Sequence, residues 1–327
     1  MPAANHFLTT SGGRPGRAPD RTISLAAAGL LFLAGLVTAP RTAAGSAMTF
    51  EVGLARSCFS NVNLNDALAA YRVFLQNVGR GHGYELNPQV TIYDNTPQFE
   101  AAIGRGTIHF AVLDAWQFLD LESHQEIQPY FVPTVNGQVG RRYVVLARHG
   151  SGIRSVADLR GRSVLLLATI DNNVCRSWLE TQLPDDPASP PARFFASLEI
   201  VAKPTGAVLP VYFGQKVACI VDAAGFELMK ELNPQVGSQL EVVATSGPIV
   251  DYVICLGEGA WALPEVKADT VRGLGDLASD PAGRQMLNLF KVSGLVAFQD
   301  EQLAAVRALR RLCNQRRGAS GAGGGQP

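Results

Sequence analysis

Short apolar runs alternate with amphipathic ones along most of this chain, and their periods predict its elements. Residues 49–54, 89–93 and 108–113 read as strands, with helices at 65–78 and 97–104 between them. In the first helix Leu68, Tyr71, Leu75 and Val78 recur near a 3.6 spacing. Asn65 and Asp66 stand where a cap belongs, and Gly79, Gly81 and Gly83 close the element. Such a strand-helix rhythm predicts a parallel α/β sheet. Two further strands follow at 128–135 and 142–148, separated by the polar turn NGQVG.

The stretch SVADLRGRSVLLL, 155–167, compresses a helical turn, a tight turn and a buried strand into thirteen residues. Ser155 is expected to cap the turn, Asp158 suits its first turn electrostatically, and Gly161 accepts the left-handed closing conformation. Beyond it come a helix at 174–182, the exposed loop PDDPASPP, and strands at 199–202, 217–221 and 240–245 with helices at 206–213 and 223–233. A strand at 252–256 and helices near 280–291 and 300–316 complete the pattern. The tail GASGAGGGQP, 318–327, is expected to be disordered, and no fixed-period repeat suggests a solenoid.

Composition narrows the class without naming a function. With 327 residues, 47% hydrophobic and 17% charged, the chain can bury the cores of two domains. Its 28 basic and 28 acidic residues balance, which offers no footprint for nucleic acid. Arg14, Arg17 and Arg21 precede fifteen apolar positions from Ile23 to Val37, and small residues follow in TAAGSA. A spanning helix needs about 20 residues, so residues 1–47 read as a secretory signal cleaved near Ala44 to Ala47. Leu36 stands where a lipidated cysteine would have to be, which predicts an exported protein without a lipid anchor or stable membrane insertion. Removing that segment takes away four Arg and one Asp, leaving 24 basic and 27 acidic groups.

Five cysteines survive processing into an oxidising compartment. Cys219 and Cys255 lie in apolar runs and read as buried hydrophobes, Cys58 and Cys175 are the better candidates for a bridge, and Cys313 lies in the last helix. No spacing supports a metal site, a Walker A loop or a GxSxG elbow, and the GRGHG turn follows a helix and lacks a dinucleotide fingerprint. No cofactor is therefore expected.

In an open α/β sheet, a ligand sits beyond the carboxyl ends of the strands, where helix N-termini point into a crevice. The loops in that position run 56–63, 94–96, 114–116, 169–173, 222–225 and 246–251. Arg56 and Ser57 are candidates to hold an anion, Trp116 to stack on a ligand or pack in the core, and Asp222 and Asp251 to hold an amine or hydroxyl or to act as caps.

The segments TIYDNTPQFEAAIGRGTIHFAVLDAWQF, SVADLRGRSV, KPTGAVLPVYFGQKVACIVDAAGFELMKEL and ATSGPIVDYVICL, in that order, resemble the phosphonate, phosphite and sulfonate branch of type II periplasmic solute-binding proteins. The resemblance spans residue 49 to about 312. It implies an α/β, two-lobed periplasmic-binding-protein-like fold (type II) with two crossover strands at the hinge, at 143–147 and 252–256. Lobe 1 would be 48–145 plus 252–327, and lobe 2 would be 146–251. The implied function is capture of a small polar or anionic solute in the interlobe cleft and delivery to an ABC transporter permease, with no catalysis. Tyr93, Asn95 and Asp114 occupy places that the family uses against its ligand, as do Thr169, Asn172 and Asn173 in the run TIDNN. Where the family's anion cradle carries hydroxyls, this run carries Asp171, whose charge would repel a phosphonate unless it caps its own helix. A zwitterionic, sulfonate-like or neutral polar solute is then an equal expectation. Two other functions use the same lobes: a ligand receptor for a membrane sensor kinase, or an exported enzyme with Cys58 or Cys175 as nucleophile.

Overall fold

Alternating burial along each strand and one apolar stripe on each helix distribute the chain around two sheets. The computed structural model describes residues 47–59, 64–167, 174–184 and 191–321. The signal segment, the TIDNN run, most of the PDDPASPP loop and the last six residues lie outside them.

The elements run β1 (Met48–Ala55), α1 (Leu64–Gly81), β2 (Leu86–Tyr93), α2 (Thr96–Ile103), β3 (Phe110–Asp114), α3 (Ala115–Leu121), β4 (Ile127–Val135) and β5 (Gln138–Val139). Next come β6 (Tyr143–Arg148), β7 (Ser163–Leu167), α4 (Val174–Gln182), α5 (Pro191–Phe194), β8 (Ser197–Val201), α6 (Pro204–Tyr212), β9 (Ala218–Asp222), α7 (Ala223–Leu232), α8 (Pro234–Gln239) and β10 (Leu240–Thr245). The chain closes with β11 (Tyr252–Gly257), α9 (Pro264–Gly275), α10 (Pro281–Leu289), β12 (Gly294–Ala297) and α11 (Ala304–Gly321).

The first sheet has the order β12-β4-β11-β3-β1-β2, with β5 paired to β4, and the second has the order β10-β6-β9-β7-β8. Neither is the wholly parallel sheet that the strand-helix rhythm predicts. Pairing is parallel only within β2-β1-β3 and β8-β7-β9, where helices make the crossovers. It is antiparallel wherever β4, β6, β10, β11 or β12 takes part. The reason is that β6 and β11 arrive directly from the other sheet, so no crossover helix sets their direction.

Each expected crossover strand belongs to a single sheet, and the crossing itself lies just before it. Residues 140–142 leave the first sheet for β6, and 246–251 leave β10 for β11. The two crossings touch through reciprocal hydrogen bonds, Arg141 N to Ile249 O at 2.7 Å and Ile249 N to Arg141 O at 2.9 Å. Gly140 makes this approach possible: its φ is +79°, and a Cβ there would lie 2.9 Å from the Ile249 nitrogen.

The predicted NG turn is a two-residue hairpin, with Asn136 and Gly137 both left-handed at φ 49° and 73°. In the SVADLRGRSV segment Ser155 is the N-cap, as expected, and it shares a capping box with Asp158. Asp158 reaches back to accept from the Arg154 and Ser155 amides at 2.9 Å each and from the Ser155 hydroxyl at 3.0 Å. Gly161 is left-handed, as its sequence predicts.

Helix α11 runs to Gly321, four residues into the tail expected to be disordered. It fastens α3 to α4. Arg310 pairs with Asp120, while the Cys313 thiol donates to Ser177 O at 3.7 Å and the Arg316 guanidinium donates to Leu183 O at 2.9 Å. Leu303, Val306 and Leu309 join a buried cluster that also contains Leu113, Leu166 and Leu179. One apolar core is thereby shared between the two sheets.

His109 is buried between Phe50 and Trp261, with ring centroids 5.0 and 5.1 Å away. Its Nδ1 accepts from the Glu51 amide at 3.1 Å, which fixes a neutral ring. Burial depresses its pKa below the ordinary 6.5. Above that value the neutral ring costs the fold nothing. As pH falls from 6.5 toward the depressed value, the unfolded chain takes up a proton that the folded one refuses, so stability declines. Urea midpoints measured from pH 7.5 downward should fall less steeply for His109→Asn than for the wild type; parallel profiles would assign the decline to other groups.

Candidate functional site

Three strand-to-helix corners carry Asx residues because a strand end followed by a helix leaves orphan amides to satisfy. Asn95 accepts from the Gln98 amide at 3.1 Å at the start of α2. Asp114 accepts from Gln117 N at 2.8 Å before α3, and Asp222 accepts from Gly225 N at 2.8 Å before α7. These corners lie at strand carboxyl ends, where the sequence placed the ligand.

The sequence candidates then separate. A cavity of about 1120 Å³ is walled by both sheets and takes in Asp222 and Asp251. Arg56, Ser57, Tyr93, Asn95, Asp114 and Trp116 are not among its wall residues. Arg56 lies 3.7 Å from Asp94 in an exposed ion pair. Tyr93 stacks on Phe99 with centroids 4.5 Å apart, and Trp116 packs against the shared core. Ser57 donates its hydroxyl to Asp114 at 2.9 Å. Burial raises the Asp114 pKa, opposed by the hydrogen bonds from Gln117 and Ser57. Thr169, Asn172 and Asn173 lie outside the described residues.

Where the crossings meet, the structure assembles a group that the sequence names only in part. The Arg141 Nε donates to Asp251 Oδ2 at 2.6 Å, and its Nη1 lies 3.7 Å from Asp222 Oδ1. The Tyr143 hydroxyl donates to Asp251 Oδ1 at 2.8 Å. Asp251 is 5% exposed, and these two donors supply the hydrogen bonds that water would otherwise give a buried carboxylate. Burial disfavours the Arg141 charge, but Asp251 and Asp222 outweigh it and hold the guanidinium above its ordinary range. Burial, reinforced by Asp251, raises the Tyr143 phenol. One guanidinium between two carboxylates leaves the group with a net negative charge.

Arg141 and Tyr143 carry no sequence motif. Their partner Asp251 is 110 and 108 residues away, so nothing local marks them. The only signal is position, since Arg141 lies in the first crossing and Tyr143 directly follows it.

Cys58 and Cys175 also line the cavity, and no described cysteine is in a disulfide. Burial pushes both thiols well above their ordinary range, with Asp114 adding to it at Cys58 and Asp251 at Cys175. Much of the remaining wall is apolar, although Glu227, Asp269 and Lys291 also stand in it. Phe50, Leu54, Phe110 and Ile254 come from the first sheet, Phe74 and Leu75 from α1, Leu274 from α9, and Leu228 and Leu232 from α7.

The fold matches solved structures over most of their length. A Xanthomonas citri protein bound to ATP superimposes with a TM-score of 0.58 at 16% identity, covering 84% of this chain and 99% of that one. A binding-protein component of an ABC phosphonate transporter from Pseudomonas aeruginosa gives 0.56 at 14%, covering 84% and 89%. PhnD1 from Prochlorococcus marinus, in complex with methylphosphonate, gives 0.54 at 11%, covering 82% and 98%. No curated protein matches the chain. A family model described as "ABC transporter, phosphonate, periplasmic substrate-binding protein" matches residues 59–303, well over half the sequence. With that match and a shared two-sheet architecture, the chain belongs to the periplasmic phosphonate substrate-binding protein family of ABC transporters.

Proposed function

We propose that this protein captures a small solute where its two sheets meet and delivers it to the permease of an ABC importer. The observation that supports this best is the Arg141, Asp222 and Asp251 group, placed at the paired crossings and in the wall of a cavity that both sheets line. In this reading residues 48–145 with 252–327 form one lobe, 146–251 form the other, and bending at 140–142 and 246–251 closes the cleft. Residues 1–47 direct export and are removed near Ala44 to Ala47, leaving a periplasmic protein without a lipid anchor. Among the described residues no helix is long and apolar enough to cross a membrane.

The family is one of transport binding proteins. The cavity thiols fit that role better than catalysis, because a nucleophilic cysteine needs a lowered pKa and burial raises both of these.

A solute that binds only the folded protein stabilises it by mass action, by about 2.7 kcal/mol at 100 times its Kd. Thermal unfolding of the mature protein against phosphonates, phosphite, sulfonates, amino acids and amines should therefore show saturable stabilisation by at least one class. Small-angle scattering with that solute should show a smaller radius of gyration. No stabilisation and no compaction across the panel would refute the binding role.

A further inference from the structure

The cavity is larger and more apolar than a small anion requires. Pockets that bury a drug-sized ligand run to roughly 300–1,000 Å³, and this one measures about 1120 Å³. It extends from the charged group along the half-buried Phe74 and Leu75 of α1 and Leu274 of α9, with the closed core of Phe50, Leu54 and Phe110 behind them and Lys291, Asp269 and Glu227 also in its wall. Across from them, Leu228 and Leu232 of α7 stand 55% and 78% exposed, one helical turn apart, and also belong to the wall. Exposed leucines at i and i+4 have no folding role on a solvated face, and water fills an apolar chamber unfavourably.

The polar end has its own chemistry. Both Asp251 oxygens are engaged, one by Tyr143 and one by Arg141. Asp222 spends Oδ1 on the Gly225 amide and faces Arg141 with the same atom. Its Oδ2 accepts no hydrogen bond among the described residues. Arg141 is held by two carboxylates, so an anionic head group would have to compete with them inside a group that is already net negative. A cationic head meets an open acceptor and the missing charge.

Resting on the reading of this cleft as the solute site, the geometry points to an amphiphilic amine as the solute class. Its ammonium head binds Asp222 Oδ2, and its hydrocarbon tail lies in the apolar chamber between the first sheet and α1 and α9. Affinity then depends on the tail, by about four-fold for each methylene removed from water.

Calorimetric titration of the mature protein with n-butylamine, n-octylamine, n-octylphosphonate and methylphosphonate, all below micelle-forming concentrations, tests this. Octylamine should bind with one-to-one stoichiometry, about 200-fold tighter than butylamine for four methylenes, and tighter than octylphosphonate. Asp222→Asn, which retains a capping side chain, should abolish the preference for amine over phosphonate and leave the chain-length dependence intact. Octylphosphonate binding more tightly than octylamine in the wild type would overturn the proposal. So would octylamine uptake without a defined stoichiometry. Methylphosphonate binding with no response to octylamine would overturn it and uphold the solute-binding function, whereas silence from these four and from the wider solute panel would remove both.

Discussion

Arg141→Ala should lower stability by about 3–5 kcal/mol, because it strands a buried carboxylate with one partner removed. Asp251 is 5% exposed and is held by Arg141 at 2.6 Å and Tyr143 at 2.8 Å. Without the guanidinium, the tyrosine hydroxyl is its one remaining side-chain donor among the described residues, and the buried carboxylate is left short of partners. The backbone pairing of Arg141 with Ile249 survives the substitution, so the loss isolates the charge. Urea unfolding of Arg141→Ala, Asp251→Asn and the double variant forms the cycle that measures it. The double variant should regain much of the loss, since an amide needs no counter-charge. An Arg141→Ala midpoint equal to the wild type's would mean that Asp251 is well solvated in the folded protein.

Phe99→Ala should cost a comparable amount, about 3–5 kcal/mol, through the cavity that a lost core ring leaves behind. Phe99 is fully buried on α2 and lies face to face with Tyr93. Its ring also fills the space beside Gly53 on β1, where a Cβ would come within 2.6 Å of its Cε2. Gly53→Ala alone should therefore destabilise by overpacking, by about 1–3 kcal/mol. In the Phe99→Ala background the same change should be neutral or favourable, since the methyl group enters vacated space. Thermal unfolding of the four proteins checks the sign of this coupling, and additive losses would show that the two residues do not share a contact.

Long elements with a clear period were legible before any coordinates. α1 carries its apolar residues at helical spacing, and the runs that become β1, β3, β7 and β9 are continuous enough to read as strands. The missed elements lack such a stripe. α9 buries only Val266 of its twelve residues, α8 is a six-residue turn of helix, and β12 holds four residues on an edge. Strand direction was misread because a local pattern records that a strand exists and nothing about which sheet its predecessor left. At the site, although Asp251 lies in the crossing just before β11 and ends no strand, it was visible as an acidic residue at a corner, and Asp222 was visible as an acidic strand end. Arg141 was not, because its role arises from a pairing made across more than a hundred residues. Asn95 and Asp114 were expected against a ligand because the family uses those places, and the hydrogen bonds show both capping the helix that follows.

The position of β11 has a consequence for how the molecule is made. It inserts between β3 and β4, at the centre of the first sheet, yet it is translated only after the whole second sheet. Until residues 252–257 emerge, β3 and β4 each present an unpaired apolar edge, and the chain that carries them cannot close its first core. The second sheet has no such debt, since all five of its strands lie between 143 and 245. Synthesis from the N-terminus thus delivers the parts in an order that delays folding of the first half until the last strand of its sheet's centre has been made.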